Sequence, residues 1–264
     1  MTPWTPRERT LVGMVHLDAL PGCPRSRRGV AEIAERAARE ARLLVDAGFD
    51  AVLVENMHDL PYLRREVGSE IVAAMSIAVR AVVEAARDRP VGVQVLAGAN
   101  RAALSIAHAT GARFIRAEGF AYAAVADEGL FDEADAGRLL RHRRSIGAGQ
   151  VAVWADVRKK HSAHAITGDL VLTDLVDGYR FMGADGVVIT GAHTGQAVSA
   201  HDLEVAAQAS ALPVVVGSGA TPETLPGLLQ HATAVIVGSA LKVDGDWANE
   251  LDPERVRAFV AART

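Results

Sequence analysis

Two strand ends late in the chain carry the strongest chemical signal. VVVGSG over Val214–Gly219 and AVIVGSAL within Ala234–Lys242 each run from an apolar strand straight into Gly-Ser. Glycine removes the side chain that would crowd a bound oxyanion, so backbone N–H groups can approach it, and two such turns side by side make a phosphate grip. Thr221-Pro222-Glu223 reads as the start of a helix behind the first turn, with Thr as cap, Pro at the first helical position and Glu in the first turn. Gly217, Ser218, Gly219, Gly238 and Ser239 are therefore the residues predicted to hold phosphate.

The earlier apolar runs end in ionisable or polar residues instead. His16 and Asp18 follow the first, Glu55, Asn56, His58 and Asp59 the second, and Gln94 the third. Arg116 and Glu118 close the fourth, Asp156, Lys159, Lys160 and His161 the fifth, and Thr190, His193 and Thr194 the sixth. A charge at the end of an apolar strand faces a low-dielectric wall, where pKa values move and acid-base chemistry near neutral pH becomes possible. The catalytic candidates are His16, Glu55, Arg116, Asp156, Lys160 and His161. Asn56, Glu118, Thr190, Thr194 and Lys242 are candidate substrate contacts. Glu55 stands out because a carboxylate ending VLVE is costly to bury unpaired. His16 reads equally as a hydrogen-bonded core histidine, and Arg116 and Glu118, two apart on one strand, point the same way and could pair with each other.

Lysine is scarce: among 28 basic residues only Lys159, Lys160 and Lys242 are lysines. A desolvated lysine amine can attack a carbonyl, which arginine cannot. Lys160 could thus form a Schiff base, as an aldolase or lyase requires, or serve as a charge stabiliser while Glu55 or Asp156 acts as base in an isomerisation or hydrolysis. His161 and His164 have H-x-x-H spacing but sit on a loop, and no cysteine cluster supports zinc. A barrel metallohydrolase would need His-x-His after the first strand and Asp after the last, where this chain has His16-Leu17-Asp18 and Gly238-Ser239. No organic cofactor is implied, while a divalent ion held between a carboxylate and the ligand's phosphate stays open.

The elements that position these residues repeat. Strands are expected at Leu11–His16, Ala51–Glu55, Val91–Leu96, Arg113–Ala117, Val151–Ala155, Gly186–Thr190, Val214–Val216 and Ala234–Val237, with helical patterns between them. Val30, Ile33, Ala34, Ala37, Ala41, Leu44 and Val45 recur at spacings of three and four, and Gly48 ends that helix. The helix-Gly-strand handover returns in AGFDAVLVE, TGARFIRAE and MGADGVVIT. A doubly wound open sheet would place its Gly-rich turn after the first strand, but MVHLDALPGCP contains none. Eight units with the Gly-Ser turns last predict one (β/α)₈ barrel domain over residues 1–264.

Bulk properties narrow the partners. A net charge of -4 argues against nucleic acid, and Arg138–Arg144 reads as a solvated helix face. The single cysteine, Cys23, excludes an internal disulfide, and the opening MTPWTPRERT lacks a secretory apolar segment. With no run of membrane-spanning length, a cytoplasmic protein binding a small phosphorylated molecule is expected, its oligomeric state open.

GMVHLDALPGCPR, ENMHDLPY, AALSIAHATGARFIRAE, ADVRKKHS, TGAHTG, GSGATPE and IVGSALKVDG together resemble the BtpA/SgcQ family along nearly the whole chain. The resemblance implies a phosphate-binding (β/α)₈ barrel and a link to sugar metabolism or to photosystem I biogenesis. It points to His16, Glu55, Asn56, Asp59, Arg116, Asp127, Asp156, Lys160, His161, Thr190, Thr194, Gly195, Gly217–Gly219, Gly238, Ser239 and Lys242. Two places depart from the family pattern: Leu96-Ala97-Gly98-Ala99 stands for L-R-N-D, and Glu118 stands for Asn. The expected function is an enzyme acting on a small phosphorylated, sugar-like metabolite by lyase or isomerase chemistry. The alternative is a non-catalytic assembly or regulatory factor that binds such a metabolite or a protein.

Overall fold

The computed structural model describes residues 2–159, 161–191 and 198–263. In chain order the elements are β1 (Thr10–His16), α1 (Val30–Ala47), β2 (Ala51–Glu55), α2 (Ser69–Ala85), β3 (Val91–Gln94), α3 (Asn100–Thr110) and β4 (Phe114–Ala117). There follow β5 (Ala124–Ala126), β6 (Gly129–Phe131), α4 (Ala136–Ser145), β7 (Ala152–Val157), β8 (Ser162–Ala163), α5 (Leu172–Phe181) and β9 (Gly186–Ile189). The chain ends with α6 (Ala200–Ala209), β10 (Val214–Val216), α7 (Leu225–Leu228), β11 (Ala234–Val237) and α8 (Pro253–Ala261).

Eight of the strands close a parallel barrel in the order β1-β11-β10-β9-β7-β4-β3-β2. All eight lie where the apolar runs predict them, within one or two residues at their ends. Ile33, Ala34, Ala37, Ala41, Leu44 and Val45 form the buried stripe of α1. Gly48 ends that helix in the left-handed conformation, at φ 114, returning its N–H to the carbonyls of Leu44 and Val45. Gly13 brings α1 close to β1, since a Cβ there would stand 2.8 Å from Leu44.

Alternation along the strands sends every second residue inward. The lower interior is apolar, with Val12, Met14, Leu53, Phe114, Trp154, Val188, Val215 and Ile236 in one cluster that Trp4 packs against. Phe114 and Trp154 stack at 4.2 Å, and Trp4 lies 5.0 and 5.2 Å from them. Glycines make the room: a Cβ on Gly92 would meet Phe114 at 2.3 Å and one on Gly186 would meet Trp154 at 2.9 Å. Such a filled base leaves only the C-terminal end open for chemistry.

Outside the barrel, β5 and β6 form a hairpin that takes up β8 as a third antiparallel strand. It was not expected from the sequence, because two- and three-residue strands are too short to show alternation. Among the described residues, no helix is long and apolar enough to cross a membrane. Of the arginines of α4, Arg138 is exposed and pairs with Glu133 at 2.8 Å, whereas Arg143 is largely buried against Asp185 at 2.6 Å.

Candidate active site

The same alternation that fills the base lifts His16, Glu55, Arg116 and Asp156 to the top of the barrel interior, two residues above Met14, Leu53, Phe114 and Trp154. Here a cavity of about 250 Å³ opens between the ends of β1, β2, β4, β10 and β11. His16, Glu55, Arg116, Gly217–Gly219, Gly238 and Ser239 all line it. The two Gly-Ser turns therefore stand side by side and face the ionisable strand ends.

The turns are built as a donor cup. Among the described residues, the amides of Ser218, Gly219, Ala220, Ser239 and Ala240 donate to no protein acceptor. The Ser218 hydroxyl is buried without a hydrogen-bond partner. Backbone donors gathered on one wall of an open cavity are placed to meet an anionic acceptor. Glycine is required at the floor: a Cβ on Gly217 would fall 2.6 Å from Val188 and 3.0 Å from Arg116 Nη2. At Gly238 a Cβ would meet His16 Nε2 at an ordinary contact distance of 3.5 Å, so the steric demand for glycine lies at Gly217.

The helix behind the cup differs from expectation. Thr221 does accept the Thr224 amide at its hydroxyl (3.3 Å) and the Leu225 amide at its carbonyl (2.9 Å), but these bonds close a turn. Regular helix begins only at Leu225 and lasts four residues, so the cup relies on its own amides and not on a macrodipole.

On the reacting side, Glu55 is buried and its carboxylate lies 3.8 Å from His16 Nε2. His16 Nδ1 faces the carbonyl of Trp247 at 3.5 Å, the long limit for a donated hydrogen bond. Arg116 enters the cavity from β4 with Nη1 toward the Gly217 carbonyl at 3.4 Å. Its Nε and Nη2 grip Asp156 at 3.0 and 2.8 Å. Burial opposes the guanidinium charge, but the bidentate Asp156 outweighs it and Arg116 is held protonated.

Several sequence candidates stand elsewhere. Arg116 and Glu118 do not pair with each other: Glu118 faces Lys159 at 3.5 Å, and Lys159 also reaches Glu128 at 2.8 Å. Burial raises the Glu118 carboxyl to about 7 against the pull of Lys159. Asp156 is wholly engaged by Arg116 and is not placed as a free base. Asn56 ties loops together, accepting the Leu96 amide at 2.7 Å and donating to Asp59 at 3.0 Å. Thr190 gives its hydroxyl to the Arg158 carbonyl at 3.2 Å. Lys242 turns away from the cup and binds both oxygens of Glu40 on α1, at 3.0 and 3.1 Å. His161 is half-exposed beside the hairpin, 4.0 Å from Asp127. His164 Nε2 meets the Lys159 carbonyl at 3.0 Å, so the H-x-x-H pair does not converge on a common point. Lys160, His193, Thr194 and Gly195 lie outside the described residues. No group of three or more His, Cys, Asp or Glu side chains among the described residues is arranged to hold a metal ion.

One wall residue escaped the sequence reading. Arg255, in the first turn of α8, lines the cup beside Gly245. A cation in the first turn of a helix opposes the macrodipole, and that misplacement is the signal that marks it.

The comparisons with known proteins agree with this architecture. Over 253 residues the chain is 41% identical to an uncharacterized mitochondrial protein of Caenorhabditis elegans, covering 94% of this chain and 90% of that one. It is 37% identical to the photosystem I biogenesis protein BtpA of Synechocystis, covering 96% and 87%. Among solved structures it resembles 3-hexulose-6-phosphate synthase, with a TM-score of 0.59 at 16% identity over 96% and 99% of the two chains. It also resembles the (S)-3-O-geranylgeranylglyceryl phosphate synthase of Thermoplasma acidophilum in complex with sn-glycerol-1-phosphate, with a TM-score of 0.59 at 16% identity over 96% and 92%. Those likenesses concern the barrel fold. The BtpA family model matches residues 7–264, and the chain belongs to the BtpA family.

Proposed function

We propose that the chain is an enzyme acting on a small phosphorylated, sugar-like metabolite, with the phosphate in the Gly217–Ala220 and Gly238–Ala240 cup. The carrying observation is that, among the described residues, five amides without a protein acceptor and the unpartnered Ser218 hydroxyl share one cavity with Glu55, His16 and Arg116. Holding the remote phosphate fixes the carbon skeleton over the barrel centre, so binding energy becomes orientation at the reacting bonds. Glu55 then takes a proton from a carbon next to a carbonyl, while Arg116 steadies the oxyanion that develops. In an α-hydroxy carbonyl compound, passage of the hydroxyl proton to the former carbonyl oxygen and return of the abstracted proton to the former carbonyl carbon complete an isomerisation, whereas departure of a group from the β carbon with its bonding pair completes a lyase reaction. The names of the structural neighbours, which include two synthases of phosphorylated compounds, support a phosphate-bearing substrate.

The imine route rests on Lys160, outside the described residues, and is tested separately by borohydride trapping with a carbonyl substrate. The decisive experiment screens phosphorylated aldoses, ketoses and their acid derivatives for turnover, with ligand-dependent melting read in parallel. Wild type is expected to turn over a phosphorylated compound, and Glu55→Gln to lose turnover while keeping the ligand-induced rise in melting temperature. Stabilisation without turnover by any compound would favour the second reading, a metabolite-binding assembly or regulatory factor, which the name of the Synechocystis relative supports.

A further inference from the structure

The cup supplies neutral donors, yet a phosphate monoester near neutral pH carries close to two negative charges. Two guanidinium groups line the cavity, those of Arg116 and Arg255. Arg116 already meets Asp156 through two nitrogens, both side chains being buried, so its charge is matched within the protein. Arg255 is bound far more loosely. Its Nε lies 3.7 Å from Asp252 Oδ2, with the two side chains 44% and 28% exposed. Asp252 has its own task at the start of α8, where Oδ1 accepts the Glu254 amide at 2.8 Å. Gly245, which its φ of +72 suits to glycine, lies next to the Arg255 guanidinium, whose Nη1 is 3.8 Å from where a Cβ would stand.

We infer that Arg255 is the cationic clamp of the phosphate cup, moving from Asp252 onto the ligand, and that the site takes dianionic phosphate monoesters in preference to diesters. This rests on the reading of the cup as a phosphate site. The guanidinium fork meets two phosphoryl oxygens at once, and the amides and the Ser218 hydroxyl meet the third. One oxygen is left, the ester oxygen, and it points to the barrel centre where Glu55 and His16 stand. A diester has a second substituent where the clamp closes and carries one charge fewer.

The test uses the full chain with methyl phosphate and dimethyl phosphate as probes, binding being followed by calorimetry at pH 7.5 and pH 5. Wild type is expected to bind methyl phosphate saturably and dimethyl phosphate at least tenfold more weakly. Arg255→Ala should weaken methyl phosphate by about tenfold or more, with Arg255→Lys in between. The loss should narrow at pH 5, because a monoester takes up a proton with a pKa near 6. Equal melting of the unliganded variants checks that α8 is intact. If Arg255→Ala binds methyl phosphate as wild type does, the clamp is overturned and the cup stands. If wild type binds both probes equally, the monoester preference is overturned. If wild type binds neither, the phosphate reading falls and the clamp with it.

Discussion

The mouth of the barrel is divided into two unlike halves. Around β3, β4 and β7 the strand-end charges have found one another: Arg116 grips Asp156, and Lys159 bridges Glu118 and Glu128 beneath the β5–β6 hairpin. Phe131 of the hairpin packs under both Lys159 and Arg65 and shields this half from water. A cavity of about 30 Å³ lies there among the described residues. At β10 and β11 the strands run into Gly217 and Gly238 while β1 ends at His16; among the described residues the amides of Ser218, Gly219, Ala220, Ser239 and Ala240 meet no protein acceptor, and about 250 Å³ is open. In one half the charges are paired inside the protein, although among the described residues Gln94 Oε1, Glu118 Oε2 and Ser162 Oγ make no hydrogen bond there, whereas in the other the donors line an open cavity. The density of ionisable residues at the strand ends is therefore a poor guide to the reacting centre by itself. What distinguishes the halves is whether the charges are already paired inside the protein and how much room is left beside them.

The difference is broken most forcefully at Asp156. Asp156→Ala leaves the buried Arg116 guanidinium without its bidentate partner, and loss of one member of such a pair costs about 3–5 kcal/mol. Urea denaturation should show that loss without ligand. The double variant Arg116→Met with Asp156→Leu should recover much of it, because apolar groups of similar volume need no partner. If Asp156→Ala melts like wild type, the charge pairing does not hold this half of the mouth together.

Glu118 sharpens the same contrast through pH. Burial holds its carboxyl at about 7, well above the ordinary 4.5, despite Lys159. The folded state therefore keeps a proton that the unfolded state has already released. Stability is fully present below about pH 4.5, declines as the pH rises through about 7, and is level beyond that as far as this group is concerned. Glu118→Gln should remove that slope and, above pH 7, stabilise the fold by roughly 1–3 kcal/mol, with Lys159 kept in place by Glu128. Chemical denaturation at pH 5 and pH 8 reads both quantities. A variant whose pH slope matches wild type would show that the carboxyl is ionised throughout.

Which parts of this were legible in the sequence follows from the range of the interactions involved. The eight strands and the handover at Gly48 are written locally, in apolar runs and single glycines, and they emerge almost residue for residue. The cup is also local, since VVVGSG and AVIVGSAL each contain their own turn, and the adjacency of the turns follows from strand order. Pairing is not local. Arg116 meets Asp156 and not Glu118 because of how β4 lies against β7, forty residues on in the chain. Lys242 turns to Glu40 across 202 residues, since the bridge from Lys242 to Leu251 aims its side chain at α1. Asn56 likewise belongs to loop contacts with Leu96 and Asp59. Arg255 was missed for a related reason: its local signal, a cation in the first turn of α8, does not say that this turn faces the cavity at the Gly-Ser turns.

The finest test lies at Ser218, where the two halves make opposite demands on a single hydroxyl. Among the described residues its oxygen has no hydrogen-bond partner, and a buried hydroxyl left so costs about 1 kcal/mol or more relative to a methyl group. Ser218→Ala should therefore leave the unliganded fold as stable as wild type or raise its stability by about that amount. In the cup the same hydroxyl has an acceptor once phosphate arrives, so the variant should bind methyl phosphate several-fold more weakly, about 1 kcal/mol by calorimetry. The opposed signs are the diagnostic. A hydroxyl that belonged to the charge-paired half would make the fold less stable when removed and leave phosphate affinity unchanged, and that outcome would move Ser218 out of the binding cup.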